Sequence, residues 1–188
     1  RFNHNINKDH KKRKILFVGR NEDRKGIKIL IEAFKIINKK YSTVELNLVG
    51  EGVSLLSNEY KNIPNCKFYD HMEGQDLVHM YHNSQIFCSP ALENESFGIV
   101  LLEAMASGLA VVASDIDGYR GLVNNYENGI LFKNGDAKSL SGALIELIDN
   151  REMINKLSLN GINFSKKYSW GEVSRNIIFN YEKSVKIG

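Results

Sequence analysis

From Lys14 to Asp149 the chain alternates short apolar runs with stretches whose apolar residues recur at helical spacing, and this alternation constrains the fold more than any other feature. Lys14–Val18 reads as a strand. Ile27–Asn38 follows as a helix, with Ile27, Leu30, Ile31, Phe34 and Ile37 along one face. Strands are then expected at Val44–Val49, ended by Gly50-Glu51-Gly52, at Cys66–Tyr69 after a Pro64-Asn65 turn, and at Ile86–Ser89, Ala110–Ser114 and Gly129–Phe132. Between them Gly74–Asn83, Gly98–Ser107 and Ala137–Asp149 read as helices. Beyond Asp149 the strand signals stop. Glu152–Lys167 and Gly171–Lys186 read as terminal helices, with Trp170 as an anchor between them. Strands bridged by helices imply an α/β class: a doubly wound parallel sheet of about six strands with helices on both faces, whose ligand site lies at the carboxyl ends of the strands.

Composition excludes several classes. A chain of 188 residues, 43% hydrophobic and 25% charged, has the make-up of one soluble domain. Lys and Arg total 25 against 22 Asp and Glu, a balance that points to no nucleic-acid partner. Cys66 and Cys88 belong to no CxxC or Cys/His pattern, so neither zinc nor a disulfide framework is indicated, and a reducing compartment is the default. His79 and His82 share a helix face, but no carboxylate or cysteine nearby completes a metal set. The apolar stretch Phe97–Ala113 is broken by Gly98, Glu103, Ser107 and Gly108 and makes a poor membrane span. No secretory signal is recognisable at Arg1. Residues 1–13, basic and without periodicity, read as a linker, and 14–188 as the domain.

Two loops at the carboxyl edge carry chemistry. In the segment from Pro90 to Gly108, a helix starting near Ser96 or Phe97 would be apolar on nearly every face and therefore buried, with Glu103 as its one ionisable group. Glu95 precedes this helix and Glu103 lies two turns on. Both could border one cavity, with the free amides of Phe97, Gly98 and Ile99 beside Glu95 as a phosphate-favouring cluster. The bland alternative is that Glu95 or Ser96 caps the helix and Glu103 pairs with a lysine. The second loop, Gly19-Arg-Asn-Glu-Asp-Arg-Lys-Gly26, sets Arg20 and Lys25 on either side of a turn, where they could clamp a diphosphate or remain solvated charges. Other phosphate fingerprints fail. Lys25 is followed by Gly26 and not by the hydroxyl that a P-loop would require, and Gly50-Glu51-Gly52 lacks the third glycine of a dinucleotide motif; it reads as a close turn from strand into helix in preference to a direct ligand contact. Cys88 reads as a core thiol, and His71, at a strand end, as either a cleft or a loop residue.

Jointly these motifs resemble those of a known family. Glu95 and Glu103, within Glu-Ser-Phe-Gly-Ile-Val-Leu-Leu-Glu-Ala-Met-Ala-Ser-Gly, resemble the E-x7-E signature of retaining GT-B glycosyltransferases of family 4. Gly19-Arg20 with Lys25-Gly26, Leu48-Val-Gly-Glu-Gly52, Ala113-Ser-Asp-Ile-Asp-Gly-Tyr-Arg-Gly121 and Asn128-Gly-Ile-Leu-Phe132 follow in that family's order. The Asp-Gly-Tyr-Arg stretch is most similar to the phosphatidylinositol mannosyltransferase-like branch. Ala110 departs from a proline common in relatives, and Gly121 from a frequent glutamate.

The resemblance implies that this chain is the carboxyl-terminal, Rossmann-like half of a GT-B fold, the half that binds a nucleotide-sugar donor. It implies hexosyl transfer to a glycan or lipid-linked acceptor held by an amino-terminal domain that this chain lacks, with no metal or other cofactor. Arg20 and Lys25 would then neutralise the donor diphosphate, Glu95 would lie by the transferred sugar and Glu103 would accept from the ribose hydroxyls. Ser96 and the amides of Phe97, Gly98 and Ile99 would support phosphate and sugar, and His71 and Met72 would border the base. The isolated domain would bind nucleotide but barely turn over. A cytoplasmic setting is expected, with peripheral contact at the inner membrane face compatible with a lipid-linked acceptor. The alternative is a non-catalytic nucleotide- or partner-binding module on the same scaffold; a related sugar-nucleotide epimerase is a third reading.

Overall fold

The computed structural model describes residues 13–95, 97–169, 171, 172, 174, 175, 177 and 178. The expected linker, apart from Arg13, as well as Ser96, Trp170 and most of the expected last helix, lie outside the described residues.

Six strands form one sheet: β1 (Lys14–Val18), β2 (Glu45–Val49), β3 (Cys66–Tyr69), β4 (Ile86–Ser89), β5 (Ala110–Ser114) and β6 (Ile130–Phe132), in the order β3-β2-β1-β4-β5-β6. Every pairing is parallel, with Ile15 opposite Leu46 on one side and Ile86 on the other. The helices are α1 (Ile27–Asn38), α2 (Gly74–His82), α3 (Ile99–Ala106), α4 (Asp117–Arg120), α5 (Ala137–Asp149) and α6 (Arg151–Ser165).

Both faces of the sheet are buried, because successive side chains of a strand point to opposite sides. Ile15 and Phe17 of β1 join Leu46, Leu48, Ile86 and Val112 beneath α1 and α5. Leu16 faces the other way and packs with Phe87 and Val111 under Tyr81 of α2 and Leu101 and Met105 of α3. The doubly wound α/β sheet expected from the alternation is therefore present, with the order reversing between β1 and β4.

Turn chemistry ends the helices. Asp136 caps α5 by accepting from the amides of Lys138 and Ser139, at 2.9 and 3.0 Å. Asn150 caps α6 by accepting from the Met153 amide at 2.9 Å. Replacing Asn150 with Ala leaves that amide without its acceptor, and urea denaturation is expected to show a loss of about 1 kcal/mol. A loss under a few tenths would mean that water replaces the cap.

Three short elements were not expected: 3-10 turns at Asp23–Lys25 and Val53–Ser57, and α4. Each is too short for a helical period to be read from sequence. Cys88 is a fully buried core thiol, as expected, and Cys66 is half-buried. Both are free, and burial pushes the Cys66 thiol up to about 12 and the Cys88 thiol higher still, so neither is an activated nucleophile.

Candidate functional site at the sheet reversal

Because β1 and β4 are neighbours running the same way, the loops that leave their carboxyl ends face each other across the point where the strand order reverses. In sheets of this kind that crevice is where ligands bind. The β1 loop is Gly19–Gly26 and the β4 loop is Pro90–Gly98, the two segments that the sequence singles out.

The loops are held together by backbone as well as by charge. The Leu92 amide donates to the Arg24 carbonyl at 2.8 Å. Gly26, with φ of 67°, closes the 3-10 turn, and a Cβ there would stand 1.9 Å from the Pro90 carbonyl oxygen. Glu95 Oε1 accepts a close ion pair from Lys25 Nζ and a second contact from Arg24 Nη1 at 3.2 Å. Arg24 also reaches Glu22 Oε2 at 2.7 Å and the Asn94 carbonyl at 3.4 Å. Arg20 lies on the outer side of the same loop, its side chain 58% exposed, and pairs with Glu22 at 2.9 Å. Three cations thus meet two carboxylates, Glu22 and Glu95, within these two loops. The Glu95 side chain is only 9% exposed, so its pairs are shielded from water in a way that surface pairs are not.

The helix after Glu95 starts later than expected. Gly98, with φ of 68°, turns the chain, and α3 begins at Ile99 instead of near Ser96 or Phe97. The expectation of an all-round buried helix is corrected too. Leu101, Ala104 and Met105 are buried, but Phe97 and Ile99 are 49% and 63% exposed, because the left-handed turn carries the first residues past the edge of the core. The Phe97 ring packs edge-on against Tyr168 at 5.8 Å between centroids.

Beneath this turn lies Tyr119 of α4, fully buried, whose hydroxyl shares a hydrogen bond of 2.6 Å with Ser89 Oγ at the end of β4. Burial drives its phenol far above the ordinary range, with the Ser89 hydrogen bond opposing and the charge of Glu95 adding to the effect. The same α4 turn forms the far wall of a cleft of about 470 Å³, lined by Leu92–Glu95 on one side and by Asp115–Gly118 and Arg120 on the other. Arg120 is held there by Asp115 and Asp117, each at 2.7 Å.

Glu103 is half-buried on α3 and accepts from the Tyr81 hydroxyl of α2 at 3.0 Å. It is not among the residues lining the cleft beside Glu95. Tyr81 is buried, and burial together with the Glu103 charge raises its phenol well above the usual value, so it stays a donor. His71 follows β3, at the outer edge of the sheet, and is exposed; its Nε2 lies 3.8 Å from Glu73. Met72 packs partly buried against the α2–α3 side of the core.

The structure therefore joins Lys25 to Glu95, keeps Arg20 on the same loop, and places His71 and Glu103 on separate elements. Sequence reasoning missed Arg24, Tyr81 and Tyr119. Arg24 stands directly beside Lys25 but carries no spacing signal of its own, Tyr81 belongs to no motif, and Tyr119 enters only as part of the Asp-Gly-Tyr-Arg stretch, with no role attached. Among the described residues, no group of three or more His, Cys, Asp or Glu could hold a metal ion, and no helix is long and apolar enough to cross a membrane.

Residues 1–164 match the family described as glycosyl transferases group 1. The phosphatidyl-myo-inositol mannosyltransferase of Mycobacterium leprae is 33% identical over 171 residues, covering 89% of this chain and 46% of that protein. The enzyme of the same name from Mycolicibacterium smegmatis is 32% identical, covering 90% and 45%. The chain thus spans about half the length of the curated relatives it matches. Among solved structures, the C-terminal domain of a glycosyl transferase group 1 protein from Francisella tularensis superposes with a TM-score of 0.78 at 23% identity, covering 90% of this chain and 96% of that one. An Anabaena protein crystallised in complex with UDP-glucose gives 0.78 at 22% identity, with 93% of this chain matched to 49% of that one. With the motifs, the sheet order and the matched span in agreement, this chain belongs to the glycosyl transferases group 1 family, family 4 of the GT-B fold, and its six-stranded sheet corresponds to one half of that fold.

Proposed function

We propose that this chain is the donor-binding domain of a retaining hexosyltransferase that takes a sugar from a nucleoside diphosphate and passes it to a glycan or lipid-linked acceptor. The observation that carries the reading is the meeting of Lys25 and Arg24 with Glu95 across the β1–β4 reversal, beside the start of α3. An anionic leaving group seated there would meet fixed cations and helix amides, which stabilise developing diphosphate charge without a metal. The likeness to an Anabaena protein crystallised with UDP-glucose supports the class of ligand.

In this reading Arg20 and Lys25 neutralise the diphosphate. Glu95 faces the transferred sugar, and Ser96 with the amides of Phe97, Gly98 and Ile99 supports phosphate and sugar. Glu103 accepts from the ribose hydroxyls, as a carboxylate with several acceptor positions can. His71 and Met72 border the base. The acceptor is held by an amino-terminal half, at the cytoplasmic side and, for a lipid-linked acceptor, at the membrane face. The departing phosphate assists deprotonation of the acceptor, so no covalent nucleophile is assigned.

Calorimetry of the folded chain with UDP, GDP and ADP tests the reading, and saturable binding of at least one is expected. Binding of none overturns it. Replacing Lys25 with Ala should weaken that binding about tenfold, the low end of the 1.5–3 kcal/mol typical of a charged hydrogen bond, because the lysine gives up one ion pair to make another. Unchanged affinity would remove Lys25 from the site.

A further inference from the structure

Glu95 already occupies the cations that a diphosphate would need. Lys25 Nζ and Arg24 Nη1 both contact the same oxygen, Oε1, so the carboxylate stands where two cations converge, much as a phosphate oxygen would. The two cations differ in how else they are held. Arg24 is tied to Glu22 at 2.7 Å and to the Asn94 carbonyl at 3.4 Å, and its planar guanidinium is fixed by these contacts. For Lys25 the recorded ion-pair partner is Glu95, and its flexible stem can swing to another anion.

We propose that Glu95 is an internal competitor for the diphosphate: it masks Lys25 in the unliganded chain, releases it when a nucleoside diphosphate enters, and remains held in place by Arg24, which is thus a positioning residue. The inference rests on the reading of Lys25 as a diphosphate ligand. A ligand without its sugar gains nothing from Glu95, yet must draw Lys25 away from it. Neutralising Glu95 while keeping its shape should therefore tighten binding of the nucleotide, although Glu95 is itself part of the site.

Calorimetry with UDP, GDP and ADP on the wild-type chain and on Glu95→Gln decides the matter, with the Glu95→Ala variant read in parallel and thermal unfolding confirming that each is folded. The expected result is at least fivefold tighter binding by Glu95→Gln. In a Lys25→Met background the same change should shift affinity by less than twofold, because no masked lysine remains. Asp23→Asn, which removes an exposed negative charge of the β1 loop that pairs with Lys28, should also stay within twofold. If the wild-type chain binds and Glu95→Gln binds equally or more weakly, the masking proposal falls while the nucleotide reading stands. It falls equally if the gain persists without Lys25 or is matched by Asp23→Asn, which would make it an effect of general charge. Binding by neither wild type nor variant removes both readings at once.

Discussion

Replacing Tyr119 with Ala is expected to lower the unfolding free energy by about 3–5 kcal/mol, the range for truncating a fully buried aromatic side chain. Three features make this position costly. The ring is fully buried among the residues on the α2–α3 side of the sheet. It supports the left-handed turn at Gly98, where an added Cβ would meet Tyr119 Cε1 at 3.1 Å. Its hydroxyl also satisfies Ser89 Oγ at 2.6 Å, and both groups are buried. Removal leaves a cavity under the turn at Gly98 and an orphaned hydroxyl at the end of β4. Tyr119→Phe separates the two contributions: it keeps the ring and should lose only about 1 kcal/mol, the usual net value of one hydrogen bond. Urea denaturation measures both. An Ala variant within 1 kcal/mol of wild type would show that the turn is supported from elsewhere.

Replacing Gly26 with Ala is the second large effect, expected at about 3 kcal/mol. An L-residue in the left-handed region costs about 1–2 kcal/mol. Forcing a methyl group against packed neighbours adds about 1–3 kcal/mol. Both apply here, since φ is 67° and the new Cβ would stand 1.9 Å from the Pro90 carbonyl oxygen and 2.8 Å from its carbon. The obstacle is backbone, so it cannot be relieved by a side-chain rotation; the β1 loop must move away from the β4 loop. That movement separates Lys25 from Glu95. Nucleotide binding should therefore fall more steeply than stability does, measurable by calorimetry at a temperature where the variant is still folded. A variant that keeps both full stability and full affinity would mean that the two loops are free to part.

Much of the fold is legible in the sequence because its elements are long enough to show a period. The residues of α1 that repeat at helical spacing, Leu30, Ile31, Phe34 and Ile37, are those buried under the sheet. The runs Lys14–Val18, Ile86–Ser89 and Ala110–Ser114 match β1, β4 and β5 end to end. What the pattern misreads is the burial around the start of α3. An apolar sequence records a hydrophobic preference but not the left-handed turn at Gly98 that leaves Phe97 and Ile99 exposed. The short α4 shows no period at all, although Tyr119 within it underlies the site.

The candidate site divides in the same way. The spacing of Glu95 and Glu103, with Arg20 and Lys25 in an earlier loop and the Leu48–Gly52, Ala113–Gly121 and Asn128–Phe132 motifs in order, is a property of the chain and jointly carries the resemblance to its family. Which of these groups meet is decided by sheet order. Lys25 and Glu95 are 70 residues apart in the chain and pair because β1 and β4 are adjacent, whereas His71 lies off β3 at the outer edge. Local sequence determined the strands, the helices and the chemistry carried on each loop, since hydrophobic period and turn residues act over a few positions. Only the tertiary structure decided that Arg24 joins Lys25 on one carboxylate oxygen and that Tyr119 stands beneath the turn, because both depend on which strands lie side by side.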